Sequence, residues 1–352
     1  MRQARAGHFP PPDVFEKLPW RRDILEGLLG FGLVGFQSIR DRHNFIACVR
    51  RFFPDARFTK KSATLQVFHG PAKTTVGTFP IGIDFREFTR VASEPSVVSL
   101  AKSIRRNVRN RRIVLGVDRL DYTKGILERI KAFGVLLKRY PGLHGQVTFI
   151  QIAVPSRENI PHYRDLKLRV EQLVSETNDQ FGGNDWVPIQ YWHRHFSRAE
   201  LVAFYRAADI ALVTPVKDGM NLVCKEFCAA RAEETGVLVL SEFAGAANQL
   251  KTGALLVNPY DIEGIASVLY NAFDMNRRDI GRRMRRMRRQ VQSEDVYHWC
   301  SNVLAAAEIS ADVKKGKRGS VTARTFKLDG KENASISHKT IQVSGASRAG
   351  NC

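Results

Sequence analysis

Residues 113–137 read IVLGVDRLDYTKGILERIKAFGVLL, and this stretch decides the fold class. The apolar run at 113–117 has the length of a buried strand, and apolar residues recur at helical spacing from 127 to 137. A strand, a short turn and then a helix form the unit from which parallel α/β sheets are built. The order of strand, turn and helix recurs after residue 137. Residues 113–270 are therefore predicted to form one doubly wound α/β domain.

The segments around this domain have different patterns. Residues 1–88 hold too few strand–helix pairs for a second complete domain and predict part of one. Residues 89–273 are assigned to the doubly wound domain as a whole, and residues 274–310 are assigned to basic helices that follow it. Residues 311–352 are rich in Ser, Lys, Gly and Ala without periodicity, which predicts a disordered basic tail.

The formal net charge of +20 on 352 residues has two main sources. Residues 276–290 hold eight arginines and one aspartate, and residues 311–352 hold nine Lys or Arg against three Asp or Glu. The rest of the chain is therefore only modestly basic. Single-stranded nucleic-acid sites interleave basic residues with aromatic ones, and the tail has one aromatic residue, Phe326. Solvated charge or attraction of substrate phosphates is the favoured interpretation, so a nucleic-acid partner is not expected.

Apolar residues recur at helical spacing within the arginine-rich segment. They are Ile280, Met284, Met287 and Val291, and this spacing leaves the arginines facing largely outward. We expect this helix to pack across the lobes rather than to read nucleic acid.

The remaining composition limits the class of protein. An apolar share of 43% and a charged share of 26% are typical of globular proteins and exclude global disorder. No apolar run reaches the roughly 18 to 20 residues of a membrane-spanning helix, and the N-terminus shows no signal peptide. Five scattered cysteines indicate neither a zinc site nor a disulfide framework. We expect a cytoplasmic protein with no membrane partner and no metal.

The first candidate site is the loop 116–125, GVDRLDYTKG. It lies where a strand ends and a helix begins, which is where open α/β sheets bind ligands. Helix N-termini attract anions, and Arg119 and Lys124 add two positive charges there. The loop therefore predicts a phosphate site. The alternative is a surface turn in which Arg119 pairs with Asp118 or Asp121.

The second candidate site is the loop 214–226, TPVKDGMNLVCKE. Gly219 permits a close approach of backbone to ligand, and the Asp218 carboxylate can accept hydrogen bonds from sugar hydroxyls. Glu226, within the following helix, can hold a vicinal diol such as a ribose. The alternative is a capped helix with Asp218 or Asn221 as the cap and Glu226 paired with a surface lysine. Two such loops at neighbouring strand ends favour a nucleotide-like ligand.

Two further candidates follow other strand ends. Arg157 can meet another phosphate, and Phe196 can either line a base pocket or belong to the core. His193 and His195 lie beside Phe196, but their spacing is not that of a metal site.

Six motifs together resemble one protein family. They are GFGLVGFQS (30–38), FPIGID (79–84), GVDRLDYTKGI (116–126), QIAVPSR (151–157), VTPVKDGMNLVCKEF (213–227) and SEFAGAANQL (241–250). This set resembles the trehalose-6-phosphate synthase family over residues 9–308. The resemblance implies a GT-B fold of two Rossmann-like lobes. It also implies a retaining transfer of glucose from UDP-glucose to glucose 6-phosphate by front-face displacement, without cofactor, metal or enzyme nucleophile.

The resemblance also implies roles for the candidate residues. The donor-binding residues would be Arg119, Lys124, Phe196, Asp218, Gly219, Met220, Asn221, Leu222, Val223 and Glu226. Arg119 and Lys124 would hold the donor diphosphate and, with Asp218, form the catalytic set. Asp218 and the turn 219–221 would bind hydroxyls of the transferred glucose.

The remaining implied roles concern the nucleoside and the acceptor. Glu226 would hold the ribose, and Phe196 would line the uracil pocket. Leu222 and Val223 would contribute backbone contacts. Arg157 would bind the phosphate of the acceptor.

The first lobe departs from the family pattern. Residues 1–88 are assigned to a C-terminal remnant of the N-terminal lobe, which binds the acceptor, and within them the match to the family begins at Phe9. We therefore expect an N-terminally truncated member with impaired activity. One alternative is a non-catalytic remnant that binds nucleotide-sugar. Another is a glucosyltransferase for a different phosphorylated acceptor, such as glycerol phosphate. The donor nucleotide (UDP, ADP or GDP) and a homo-oligomeric state are left open.

Overall fold

The computed structural model describes residues 3–6, 9–183 and 185–312. The described part of the chain forms two β-sheets. Within these ranges no helix has both the length and the apolar content needed to cross a membrane. The predicted disordered tail lies, from residue 313 onward, outside the described residues.

The first sheet has five strands. In chain order they are β1 (Gln3–Ala6), β2 (Leu33–Phe36), β3 (Arg57–Lys61), β4 (Thr64–His69) and β5 (Ala72–Thr78). In the spatial order β1-β2-β5-β4-β3, the first three strands are parallel, and β4 and β3 continue the sheet antiparallel. Helices α1 (Pro12–Phe15), α2 (Arg21–Leu29) and α3 (Ile39–Phe52) share a core with β2, β4 and β5.

The sequence pattern predicts this sheet incompletely. The β3–β4 hairpin has no clear hydrophobic alternation, because β3 is an exposed edge strand with mostly polar side chains. The pattern of residues 76–83 (VGTFPIGI) predicts a strand that ends in turn residues, whereas β5 begins at Ala72 and ends at Thr78. The segment 79–84 instead connects the two sheets.

The second sheet has six parallel strands. They are β6 (Arg112–Arg119), β7 (Val147–Val154), β8 (Ile189–Trp192), β9 (Ile210–Val213), β10 (Val237–Ser241) and β11 (Leu255–Val257). Their spatial order β8-β7-β6-β9-β10-β11 confirms the predicted doubly wound α/β arrangement. The strand order reverses between β6 and β9. Ligands bind at such a topological switch point, outside the carboxyl ends of the strands.

Helices cover both faces of the second sheet. In chain order they are α4 (Phe85–Ser93), α5 (Pro95–Asn107), α6 (Ile126–Arg139), α7 (Pro161–Phe181), α8 (Arg198–Ala207), α9 (Val223–Ala230), α10 (Ala247–Leu250), α11 (Ile262–Phe273) and α12 (Arg277–Ser293). One core joins the sheet to α6, α7 and α11, and a second core joins its other face to α4, α5, α8, α9 and α12.

The arginine-rich helix and the last helix have different partners. Met284, Met287 and Val291 bury α12 in the second sheet's core. The last helix, α13 (Val296–Asp312), instead contacts β2 and β5. Its Ala306 and Ala307 pack with Leu33. The chain therefore passes from the second sheet to the first between α12 and α13, and α12 packs on the second sheet.

Candidate active site

The loops that follow β6 and β9 are joined by backbone contacts at the switch point. The Thr123 carbonyl oxygen accepts hydrogen bonds from the N–H groups of Val216 (2.9 Å) and Lys217 (3.3 Å). Gly125 adopts a φ of +65°, and a Cβ there would lie 2.2 Å from the Thr214 carbonyl oxygen. Only glycine fits this approach without strain. The two sequence-predicted loops therefore form one continuous surface.

A charged pair joins the same two loops. The Lys124 ammonium lies 2.5 Å from the Asp218 carboxylate, and both side chains are largely buried. Asp218 also accepts hydrogen bonds from the Met220 N–H (3.1 Å) and from the Asn221 amide (3.4 Å). Lys124 and Asp218 are thus brought together, as a site that uses both of them requires.

The turn after Asp218 is built differently from the expectation for Gly219. The left-handed residue is Asn221, with a φ of +63°, and its side-chain oxygen accepts a hydrogen bond from the Cys224 N–H (3.2 Å). The close approach at Gly219 is made by the backbone of Gly245, where a Cβ would lie 2.0 Å from the Gly219 carbonyl oxygen. Asn221 therefore bonds to the first turn of α9, although Leu222 occupies the N-cap position of this helix.

Arg119 lies exposed at the end of β6. The carboxylates expected to neutralise it have other partners. Asp118 pairs with Arg129 at 2.8 Å, and Asp121 accepts hydrogen bonds from Thr123 and Tyr163. Within the described ranges Arg119 forms no ion pair, so its charge is available to an anion at the end of β6.

Glu226 is held by a tyrosine rather than by a surface lysine. The Tyr205 hydroxyl donates to its Oε2 at 2.8 Å. Burial raises the pKa of Glu226 above its usual value, and the bond from Tyr205 opposes this shift. Leu222 and Val223 lie at the start of α9, where helix geometry leaves backbone N–H groups without intrahelical acceptors.

Phe196 is partly buried and packs against the core. It lies 5.2 Å from Phe204 in an edge-to-face arrangement, measured between ring centroids. The Arg194 guanidinium lies 4.1 Å above the Phe196 ring. Both interpretations from the sequence, core residue and pocket wall, are compatible with this position.

Arg157 is linked to the β6 loop through a tyrosine. Its Nη1 donates to the Tyr163 hydroxyl at 3.0 Å, and that hydroxyl donates to Asp121 Oδ2 at 3.2 Å. Arg157 has a φ of +52°, an unfavourable conformation for a residue with a side chain. Such strain concentrates at functional sites, where the surrounding contacts compensate for it.

A cleft separates the Asp218 turn from the first sheet. It has a volume of about 150 Å³, and its walls include Asp218 and Gly219 on one side and Ser38, Arg40 and Asp41 on the other. Of the candidate residues, Asp218 and Gly219 therefore face a space between the loops of the second sheet and the start of α3. Among the described residues, His, Cys, Asp and Glu form no cluster that could hold a metal ion.

Comparison with known proteins assigns this arrangement to a family. The model of glycosyltransferase family 20 matches residues 7–309. The chain belongs to glycosyltransferase family 20. This match covers strands β2 to β5 of the first sheet, the whole second sheet and all of the candidate loops of this family 20 chain.

Curated relatives extend the assignment. The bifunctional trehalose-6-phosphate synthase/phosphatase of Thermoproteus tenax is 39% identical over 316 residues, which are 88% of this chain and 42% of that protein. The trehalose-6-phosphate synthase of Mycolicibacterium smegmatis is 42% identical over 303 residues, 85% of this chain and 60% of that protein. The family 20 chain thus spans less than two thirds of either relative.

Two solved structures share the fold. An alpha,alpha-trehalose-phosphate synthase (UDP-forming) from Burkholderia xenovorans, in complex with glucose 6-phosphate, superimposes with a TM-score of 0.82 at 34% identity. The match covers 87% of this chain and 68% of that one. The second structure is described as trehalose-6-phosphate from E. coli bound with UDP-2-fluoro glucose, and it has a TM-score of 0.81 at 34% sequence identity. The match covers 87% of this chain and 67% of that one.

Several residues of the site escape sequence reasoning. Tyr163, Tyr205 and Arg129 contact candidate residues, but their partners are distant in sequence or lie on other elements. Lys225 is similar: it is buried beside Glu226 and donates to the Ile81 carbonyl oxygen at 2.7 Å. The sequence offers only an indirect indication of such residues. A Lys or Arg at a helix position that periodicity predicts to be buried is unusual unless it has a partner.

Proposed function

We propose that this family 20 chain binds UDP-glucose at the carboxyl ends of β6 and β9. We also propose that it transfers the glucose to glucose 6-phosphate with retention, forming trehalose 6-phosphate. The observation that carries the proposal is the Lys124–Asp218 pair at the switch point, together with Arg119 at the end of β6, which forms no ion pair among the described residues. Cations for the diphosphate and a carboxylate for the sugar hydroxyls thereby converge on one surface.

Each charged side chain of the donor site has a proposed role in binding UDP-glucose. Arg119 and Lys124 bind the diphosphate, Asp218 and the turn 219–221 bind the glucose hydroxyls, and Glu226 accepts from the ribose. Leu222 and Val223 offer backbone N–H groups, which suit a phosphate at a helix start. The likeness to a structure bound with UDP-2-fluoro glucose supports this assignment.

The proposed chemistry is a front-face displacement. The bond between the glucose C1 and the diphosphate oxygen breaks, and its electron pair goes to UDP. The anomeric hydroxyl of the acceptor attacks C1 from the same face, and its proton passes to the departing phosphate oxygen. Arg119 and Lys124 stabilise the negative charge as it develops, which is the preorganised electrostatic effect that most lowers such barriers.

The acceptor half rests on Arg157. Its guanidinium is exposed, and its bond to Tyr163 connects it to the Asp121 end of the donor loop. An arginine at this place can form paired bonds with a phosphate of the acceptor. The likeness to a structure holding glucose 6-phosphate supports glucose 6-phosphate as that acceptor.

A coupled assay for UDP release, run with and without glucose 6-phosphate, tests the proposal. We expect acceptor-dependent release of UDP together with formation of trehalose 6-phosphate. Parallel reactions with ADP-glucose, GDP-glucose and glycerol phosphate distinguish the donor nucleotide and the acceptor. UDP release that depends on glycerol phosphate but not on glucose 6-phosphate would identify glycerol phosphate as the acceptor. The assignment of the donor would then stay unchanged.

Two other outcomes separate the halves of the proposal. Calorimetric binding of UDP without acceptor-dependent release would indicate a nucleotide-sugar-binding protein rather than a transferase. Absence of UDP binding by a folded chain would contradict the donor site itself.

A further inference from the structure

A buried arginine lies beneath the two candidate loops. Arg129, near the start of α6, is fully buried, and its guanidinium forms an ion pair with Asp118 at 2.8 Å. Removing two charges from water is costly, and a well-packed apolar pair of similar volume is often equally stable or more so. Stability alone therefore gives no reason for an ion pair at this place.

All three guanidinium nitrogens of Arg129 have partners. Nε donates to Thr214 Oγ1 (3.1 Å), Nη1 to Gln151 Oε1 (3.0 Å) and Nη2 to the Lys124 carbonyl oxygen (3.2 Å). Asp118 and Gln151 lie in β6 and β7, and Thr214 directly follows β9. One side chain thus ties three adjacent strands to the loop that carries Lys124.

A glycine in β6, Gly116, leaves space for this guanidinium. A Cβ at Gly116 would lie 2.5 Å from Nη1 of Arg129 and 2.4 Å from Oε1 of Gln151. Glycine weakens a strand interior and often marks the close approach of another group. Gly116 is therefore explained by the arginine that packs on it.

We propose that Arg129 is a positioning residue for the donor site. It holds the Lys124 loop and the loop that begins at Thr214 at the separation that a bound diphosphate requires. The inference rests on the proposed function, because the diphosphate is that of the donor. Arg129 acts through its neighbours because it is fully buried, and Asp118 balances its charge, so its effect is one of geometry rather than attraction.

Hydrogen exchange on the unliganded full chain tests the positioning directly. In the double variant Asp118→Leu/Arg129→Met, apolar side chains replace the ion pair and keep the core filled. The amides of Val216 and Lys217, which donate to Thr123, should exchange at least tenfold faster than in the parent, while those of β10 stay unchanged. Arg129→Lys keeps the charge but loses the planar fork, so it should give an intermediate rate.

Ligand binding and turnover give a second measurement. In the folded double variant we expect the Kd for UDP to rise at least tenfold. We also expect kcat to fall by more than KM rises, because a misplacement of about 1 Å can cost on the order of a hundredfold in rate. The matched control is Arg231→Met, since Arg231 is also buried but bonds to the carbonyl oxygens of Tyr205 and Arg206. It should lower thermal stability and change the Kd for UDP less than twofold.

The outcomes separate this inference from the proposed function. Unchanged exchange at 216 and 217 in a folded double variant overturns the positioning role, whatever the chain binds. Faster exchange with a Kd for UDP within twofold of the parent also overturns it, because the loops would then not be held for the donor. A parent chain that does not bind UDP contradicts the proposed function, and the exchange result still decides whether Arg129 holds the loops.

Discussion

The ammonium of Lys124 lies 2.5 Å from the carboxylate of Asp218, across 94 residues of sequence. The unliganded site therefore holds its cation and its carboxylate against each other. In the proposed donor complex, Lys124 would bind the diphosphate and Asp218 would then be free to accept hydrogen bonds from the sugar hydroxyls.

Removing the cations should weaken UDP binding strongly. A hydrogen bond to a charged group contributes about 1.5 to 3 kcal/mol, so Lys124→Ala should raise the Kd for UDP by roughly 10- to 150-fold. Arg119→Ala should act in the same direction. Titration calorimetry measures both, with Lys131→Ala on the exposed side of α6 as the control. An Arg119→Ala/Lys124→Ala chain with the parent affinity would contradict the site.

The affinity for UDP should depend on pH through Glu226. Burial raises the pKa of this carboxyl above 4.5, and a ribose diol donates best to the ionised form. Affinity should therefore fall as the pH drops through the raised pKa. Glu226→Gln should remove this dependence, and calorimetry at a series of pH values measures both chains.

The same carboxyl should affect stability with the opposite sign. The folded chain binds this proton more tightly than the unfolded chain does, so the contribution of Glu226 to stability is largest below pH 4.5. It declines as the pH rises through the folded-state pKa. An affinity profile identical in the parent and the Glu226→Gln chain would show that this carboxyl does not hold the ligand.

Gly125→Ala should damage both stability and binding. The left-handed backbone costs a residue with a side chain about 1 to 2 kcal/mol, and the added Cβ would meet the Thr214 carbonyl oxygen. We expect a lower melting temperature and weaker UDP binding. Gly142→Ala is the matched control, because no heavy atom lies within 4 Å of its Cβ and its φ is not positive. Equal behaviour of the two variants would contradict the contact between the loops.

The apolar face of α12 should dominate its contribution to stability. Met287 is buried and lies against Gly253, so Met287→Ala should cost about 2 to 5 kcal/mol of unfolding free energy. Arg289 is exposed, and Arg289→Ala should change it by less than about 0.5 kcal/mol. Urea unfolding of the two variants measures the difference. A larger loss of unfolding free energy for Arg289→Ala than for Met287→Ala would contradict the dominant role of the apolar face.

The arginines of α12 should not confer tight nucleic-acid binding. Arg282 pairs with Asp279 at 2.6 Å, and Arg285 pairs with Glu234, so part of the positive charge is already compensated. We expect no tight binding of DNA or RNA by the full chain at physiological salt. Fluorescence anisotropy measures this. Tight binding that is lost when Arg282, Arg285 and Arg289 are changed to glutamine would overturn the expectation.

Local patterns in the sequence predict five of the six strands of the second sheet and miss β11. The pattern predicts strands at 210–213 and 237–241 and a helix at 198–207, and β9, β10 and α8 have these bounds. A buried strand or an amphipathic helix is predictable in this way because neighbouring residues encode it. The same reasoning located the loops of Arg119 and Asp218 at strand ends. It did not predict the β3–β4 hairpin, whose edge strand is exposed and therefore lacks an apolar alternation.

The sequence by itself determined the α/β class, the doubly wound order of elements and, through long motifs, the family. Only the tertiary structure decided which charges meet: Lys124 with Asp218, and Asp118 with Arg129 rather than with Arg119. The physical reason is distance along the chain. Periodicity reports which face of an element is buried, whereas the partner of a charged side chain depends on how separate strands are ordered in the sheet.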